Sequence, residues 1–224
     1  PAPDPPWKGT WRRPGPRLVQ HRSINIPGKR EHHLDAGRKM GRYTGPVCRL
    51  CRAHGTKLFL KGERCLTPRC AIERRKSPPG AHTGTTGRRR RPTDYGVHLK
   101  EKQKARRIYG VLERQFVKNF ELASKTTGVT GAILLQLMER RLDNVAYRLG
   151  YGESRAKARQ IVTHGHLQVN GKDVAIPSFI VKAGDKVSWK EVSRKTELFK
   201  LISAGLGKRG VPRWLRPSSD GASG

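Results

Sequence analysis

Acidic side chains are scarce in this chain: 17 Asp and Glu stand against 48 Lys and Arg, a formal net charge of +31 over 224 residues. Solubility requires far less, and a compact chain so charged repels itself unless a polyanion neutralises it, so a nucleic acid is the expected partner. Apolar residues are few as well, at 34%, so the core must be small and parts of the chain are expected to order only on their partner. No run approaches the roughly 18 apolar residues of a spanning helix, and the short apolar stripes are core-like, which disfavours a membrane surface. The proline-rich start lacks the apolar centre of a signal peptide, so a reducing cytoplasm is the expected compartment.

Catalytic signatures are missing too. Gly150-Tyr151-Gly152 lacks the third glycine and the preceding strand of a dinucleotide fingerprint and reads as a turn between helices. There is no phosphate loop of the Lys-Ser/Thr type and no His-Glu-x2-His. Asp143 has the chemistry of a lone catalytic carboxylate, but Arg140 and Arg141 beside it make a local ion pair the better reading. No enzyme and no small-molecule substrate are expected.

What is present begins with an arm. Pro1 to Lys39 carries seven prolines, nine Lys or Arg and almost no apolar periodicity, the composition of a disordered basic segment. Met40-Gly41-Arg42-Tyr43 opens the first domain-like stretch, so the arm is either a genuine basic tail or an upstream artefact ahead of a start at Met40. From Met40 to Gly110 there are 19 basic and four acidic residues, about half of the total charge.

All four cysteines fall in that region, as Cys48-x2-Cys51 and Cys65-x4-Cys70. Two close pairs joined by a loop suit a tetrahedral metal, and thiols in a reducing compartment argue against disulfides. Their basic neighbours Arg49, Arg52, Arg64 and Arg69 are expected to favour thiolates. A structural zinc ion is the leading reading, with an iron–sulfur cluster or free thiols as the alternatives. His54 reads as an exposed loop histidine, since four cysteines already fill the tetrahedron.

Downstream, glycine and proline around 84–92 forbid a regular element, so Arg88, Arg89, Arg90 and Arg91 are displayed on a loop, where guanidinium groups pair with phosphate. Asp94 is the expected cap of a basic helix over 94–109, whose Lys100, Lys104 and Arg107 are surface or RNA-facing. A second helix, 111–124, can bury Leu112, Phe116, Phe120 and Leu122; the apolar helix 131–138 is the expected centre of packing.

The stretch 138–190 reads as two short helices feeding a hairpin. Leu142, Val145, Ala146 and Leu149 form one apolar face and turn Arg140, Arg141 and Arg148 elsewhere. Ser154 is the expected N-cap of the second helix, where Ala158, Ile161 and Val162 point inward and Arg155 and Arg159 are set to read RNA shape from another side; with Arg140, Arg141, Arg148, Ser154, His164, His166 and Asn170 they are the expected RNA-binding surface residues of this stretch. His164 and His166 flank Gly165 and read as phosphate-facing or exposed, while Asn170-Gly171 signals a hairpin that closes on a strand at 186–189. Tyr147 and Trp189 have the chemistry to stack on bases, although Trp189 alternates with Val187 toward a core. A last helix spans 196–204 with Leu198, Leu201 and Ile202 on one face, and 216–224 reads as a flexible tail.

Several separated motifs carry a family resemblance: Met40-Gly41-Arg42-Tyr43 with Gly45-Pro46-Val47-Cys48-Arg49-Leu50-Cys51, then Lys61-Gly62-Glu63-Arg64-Cys65, above all Glu139-Arg140-Arg141-Leu142-Asp143-Asn144-Val145-Ala146-Tyr147-Arg148-Leu149-Gly150, and His164-Gly165-His166 with Val169-Asn170-Gly171. In this order they closely resemble the bacterial small-subunit ribosomal protein S4 family over roughly 40–215, and 138–190 resembles the RNA-binding domain named after it. The resemblance implies direct binding to small-subunit rRNA, early assembly of the subunit body, contact with small-subunit protein five and an influence on decoding accuracy, all in the cytoplasmic ribosome. Cys48, Cys51, Cys65 and Cys70 match the metal cysteines of some members. Two departures stand out: the arm before Met40, and the Ser/Gly-rich end after Trp214-Leu215, where family members continue with a segment that folds back on the first domain.

The expected fold is therefore α+β. A mostly helical basic N-terminal domain with a four-cysteine zinc knuckle spans 40–137, and a small helix-pair and hairpin RNA-binding domain spans 138–195. The arm 1–39 precedes them, and a C-terminal helix and tail, 196–224, follows. An RNA-modifying enzyme with the same module would need a catalytic domain, which the 34 residues after Lys190 cannot make.

Overall fold

A computed structural model describes residues 42–75, 77–80, 91, 93–205, 210–218 and 223–224, all within the unit Met40–Gly224. The arm 1–39 and Arg88, Arg89 and Arg90 lie outside the described residues. The chain opens with α1 (Cys48–His54), a 3-10 turn (Gly62–Cys65) and α2 (Ala71–Arg74), then runs through α3 (Asp94–Tyr109), α4 (Glu113–Lys125) and α5 (Thr130–Glu139). No described helix is long and apolar enough to cross a membrane.

Three expectations for this half are corrected. The cap of α3 is Thr93, whose Oγ1 accepts from the Gly96 N–H at 3.2 Å, and Asp94 sits one residue inside, where its charge suits the positive helix end. In α4, Phe116 and Ala123 are buried, whereas Leu112, Phe120 and Leu122 are exposed. Positions 116 and 123 lie two turns apart on one stripe and 122 turns away from it, whereas Phe120 shares the stripe and is left half exposed. Finally, α5 is not the centre of packing: Met138 alone is buried there, beside Val111 and Phe116, and Leu135 is half exposed. A helix apolar all round needs neighbours all round, and among the described residues α5 packs mainly on α4, with Ala105 and Tyr109 of α3 reaching the cluster around Met138.

The main core lies further on, where α6 (Leu142–Arg148) packs on α7 (Arg155–Thr163). Leu142, Val145, Ala146 and Leu149 meet Ala158, Ile161 and Val162, as the spacing predicts. Ser154 caps α7 by accepting from the Lys157 N–H. Strands β1 (Leu167–Val169), β2 (Lys172–Asp173) and β3 (Val187–Trp189) form an antiparallel sheet in the order β2-β1-β3, with Leu167 opposite Trp189. Asn170 and Gly171 both adopt positive φ, as a two-residue hairpin with the right strand twist requires. Trp189 is wholly buried and meets Tyr151 and Phe199 edge-on, at 5.5 and 5.4 Å between ring centroids.

After α8 (Glu191–Arg194), helix α9 (Glu197–Ser203) lays Leu198, Phe199 and Ile202 on this core. Leu201, placed on that face by spacing, is exposed instead, because Phe199 reaches the Trp189 ring. In the stretch read as a tail, Gly224 exchanges backbone hydrogen bonds of 2.8 and 2.9 Å with Val187, and Ser223 pairs with Ser188 beside β3.

Candidate nucleic-acid interface

The helical half and the module meet at one carboxylate. Glu139, the last residue of α5, accepts two hydrogen bonds from Arg148 (2.9 and 2.7 Å), one from Asn144 (2.6 Å) and one from the Tyr109 hydroxyl (2.8 Å). Burial alone would raise its pKa, but the Arg148, Tyr109 and Asn144 hydrogen bonds outweigh that and hold the carboxyl below its ordinary range. Tyr109 is pushed up to about 12 by its burial and by the hydrogen bond to Glu139. Arg155 completes the junction: its Nε donates to Asn144 Oδ1 at 2.8 Å, and its guanidinium lies 4.5 Å from the Tyr147 ring and 5.2 Å from the Tyr109 ring. A backbone contact adds to this. Gly62, which opens the 3-10 turn and sits at φ 63°, approaches Glu153 so closely that a Cβ would sit 2.5 Å from its carbonyl oxygen.

A second buried carboxylate organises the module. Asp143 accepts from Arg141 through both oxygens, at 3.1 and 2.7 Å, and from Arg159 at 2.9 Å. Its expected ion pair with Arg140 and Arg141 is thus corrected to Arg141 and Arg159, while Arg140 donates to the Val181 carbonyl at 2.9 Å. Arg141 is 3% exposed. Expected on the surface, it has no face to offer a phosphate, because α6 starts there and the guanidinium folds inward onto Asp143.

The remaining cations divide by exposure. Arg91, Lys100 and Lys157 are exposed, with no carboxylate partner among the described residues. Lys104 is 3.3 Å from Glu101, and Arg148 is held by Glu139. Arg107 Nη1 lies 2.7 Å from Nε2 of His54, which is buried rather than exposed as its loop-like context suggests. Burial, then Arg107, lowers the His54 pKa. His164 is exposed; His166 contacts Ser193 Oγ at 3.0 Å, and burial, with His164 nearby, lowers its pKa. Asn170 is occupied with structure, donating to Asp185 and accepting from the Lys186 N–H.

Between the first described segment, the end of α3 and the start of α7 lies a cleft of about 630 Å³. Arg42, Arg106, Arg107, Arg155, Lys157 and Arg159 line it, along with Tyr43, Phe59 and Tyr109. Sequence reasoning missed Arg42, Tyr43 and Phe59 as site residues, because no motif links them to α7 and only folding brings them together.

The four cysteines line a second, small cavity with Val47, Leu60 and Ile72. Cys51, Cys65 and Cys70 are buried, Cys48 is half-buried, and none of the four is in a disulfide. Contrary to the lowering expected from basic neighbours, the Cys51 thiol is pushed up by burial, against a lowering Leu58 backbone hydrogen bond and with Cys65, Cys48 and Cys70 adding to the rise. Among the described residues, no group of three or more His, Cys, Asp or Glu is arranged to hold a metal ion.

Comparison with known proteins gives two adjoining matches: "Ribosomal protein S4/S9 N-terminal domain" over residues 42–139 and "S4 domain" over 140–187. The chain is 57% identical over 176 residues to small ribosomal subunit protein uS4A of Symbiobacterium thermophilum, covering 79% of this chain and 83% of the relative. It is 55% identical over 185 residues to protein uS4 of Thermus thermophilus, and 56% over 186 residues to that of Citrifermentans bemidjiense, each covering 83% of this chain and 88% of the relative.

Proposed function

Since the chain belongs to the small ribosomal subunit protein uS4 family, we propose that it is a non-catalytic constituent of the cytoplasmic small ribosomal subunit that binds small-subunit rRNA directly. The observation that carries this reading is the pair of adjoining family matches, which leaves no break between the two domains. Early assembly of the subunit body, contact with small-subunit protein five and an influence on translational accuracy belong to the same proposal.

Most of the affinity comes from phosphate neutralisation, so log K falls by about 0.7 to 0.9 per phosphate against log salt. Arg88 to Arg91, Lys100, Arg140, Arg155 and Lys157 supply the contacts, while Arg141 and Arg148 shape the surface from within. Sedimentation tests the reading: the protein is expected in purified small subunits at moderate salt, and its absence there would overturn the assignment.

Cys48, Cys51, Cys65 and Cys70 hold a structural zinc ion in this proposal. Four soft sulfur donors lining one small, apolar-walled cavity fit the group chemically. Bound zinc supplies a cross-link between α1 and the 62–71 segment, in a region with little apolar core. Metal analysis of reduced, metal-replete protein should give about one zinc per chain. Iron in its place, or neither metal, sinks this part alone.

A further inference from the structure

The 630 Å³ cleft is concave and has aromatic walls, features that phosphate contact alone does not require. Its volume falls within the about 300–1,000 Å³ of pockets that enclose small ligands, which suits a nucleotide and is too small for a duplex. Tyr43 and Phe59 line it yet remain about half exposed, so each keeps ring surface available to a ligand. Cations surround them. Among the described residues of the lining, the single carboxylate, Asp143, is already taken by Arg141 and Arg159, so their net field in the cleft is positive. Arg155 engages Asn144 through Nε only, and among the described residues its terminal nitrogens have no hydrogen-bond partner. Lys157, two residues further along α7, lines the same cleft and has no ion pair among the described residues.

Aromatic faces accept any unstacked base, and cations beside them hold its phosphate. We propose that this cleft receives one unpaired nucleotide of the RNA, with its base against Tyr43 and Phe59 and its phosphate between Arg155 and Lys157. The inference rests on the RNA-binding reading above and adds the ligand form, a flipped-out single nucleotide held between the two domains. Stacking carries no charge, so its loss lowers affinity without changing the number of counterions released.

The test uses the full chain and purified small-subunit rRNA, with affinity measured across a salt series. Tyr43→Ala should weaken binding about tenfold at an unchanged salt slope, and Tyr43→Trp should restore it. Crosslinking of the wild-type chain to 4-thiouridine-substituted rRNA gives a readout independent of any variant's folding: the labelled peptides should include Tyr43 or Phe59. Wild-type binding with a steep salt slope, an unaffected Tyr43→Ala and crosslinks only outside the cleft would overturn the proposal while leaving rRNA binding intact. Failure of the wild-type chain to bind rRNA would instead overturn the reading on which it rests.

Discussion

The two halves of this protein solve the problem of a small core differently. The module has a continuous buried cluster running from Leu142 to Trp189, whereas the preceding helical half has Val111, Phe116 and Met138. In the module, buried polar groups are satisfied within a well-packed frame, Arg141 and Asp143 by each other and Asn144 by Glu139 and Arg155. The helical half instead exposes Phe120, Leu122 and Leu135 and gathers its thiols into a separate pocket. The module therefore holds its shape by packing, and the helical half depends on what it is attached to: the module, a metal or RNA.

The largest expected effect is on the packed side of that comparison. Trp189→Ala removes the ring between Tyr151 and Phe199 and should cost about 3–5 kcal/mol in denaturant unfolding. Phe116→Ala, in its three-residue cluster, should cost less; an equal loss would break the contrast. At the junction, Glu139→Gln leaves Arg148 and Tyr109 without their carboxylate and should cost about 2 kcal/mol, less than a fully buried pair because Arg148 is partly exposed. The pH dependence has a definite sign. Glu139 titrates below its ordinary range when folded, so its contribution is present above that range and is lost as pH falls through the lowered value. The Glu139→Gln variant should lose that acid limb, and a retained limb would assign it to another group.

Smaller again is Gly62→Ala, which combines a strained φ with a backbone collision at Glu153 and should cost about 1–3 kcal/mol. If hydrogen exchange then rises in the 3-10 turn and α2 and not in β1 or β3, the helical half is the dependent partner; uniform exchange would say otherwise. The least effect on stability is expected at Lys157. Lys157→Ala should leave the fold intact and flatten the salt slope of RNA binding by about one unit, whereas Arg159→Ala, removing a partner of Asp143, should shift stability more than slope.

Much of the module was legible in advance. Helical spacing placed Leu142, Val145, Ala146, Leu149, Ala158, Ile161 and Val162 inside, Asn170-Gly171 located the turn, and Ser154 marked a helix start. The helical half was less legible because its apolar residues outnumber its neighbours: periodicity names a face, but Phe120 and Leu135 had nothing to pack against. Charges were the hardest. Arg140, Arg141, Arg148, Arg155 and Arg159 look alike along the chain, yet two carboxylates, Glu139 and Asp143, draw three of them into ion pairs and Arg155 stacks on two tyrosines.

The sequence by itself determined the net charge of +31, the family motifs, the paired cysteines and the apolar faces of α6 and α7, because each is a matter of residue type and local spacing. Only the tertiary structure decided which arginines are spent on carboxylates, that His54 is buried beside Arg107, and that Tyr43, Phe59, Arg155 and Lys157 share one cleft. Burial and ion pairing depend on which distant segments meet, and no local pattern encodes that meeting.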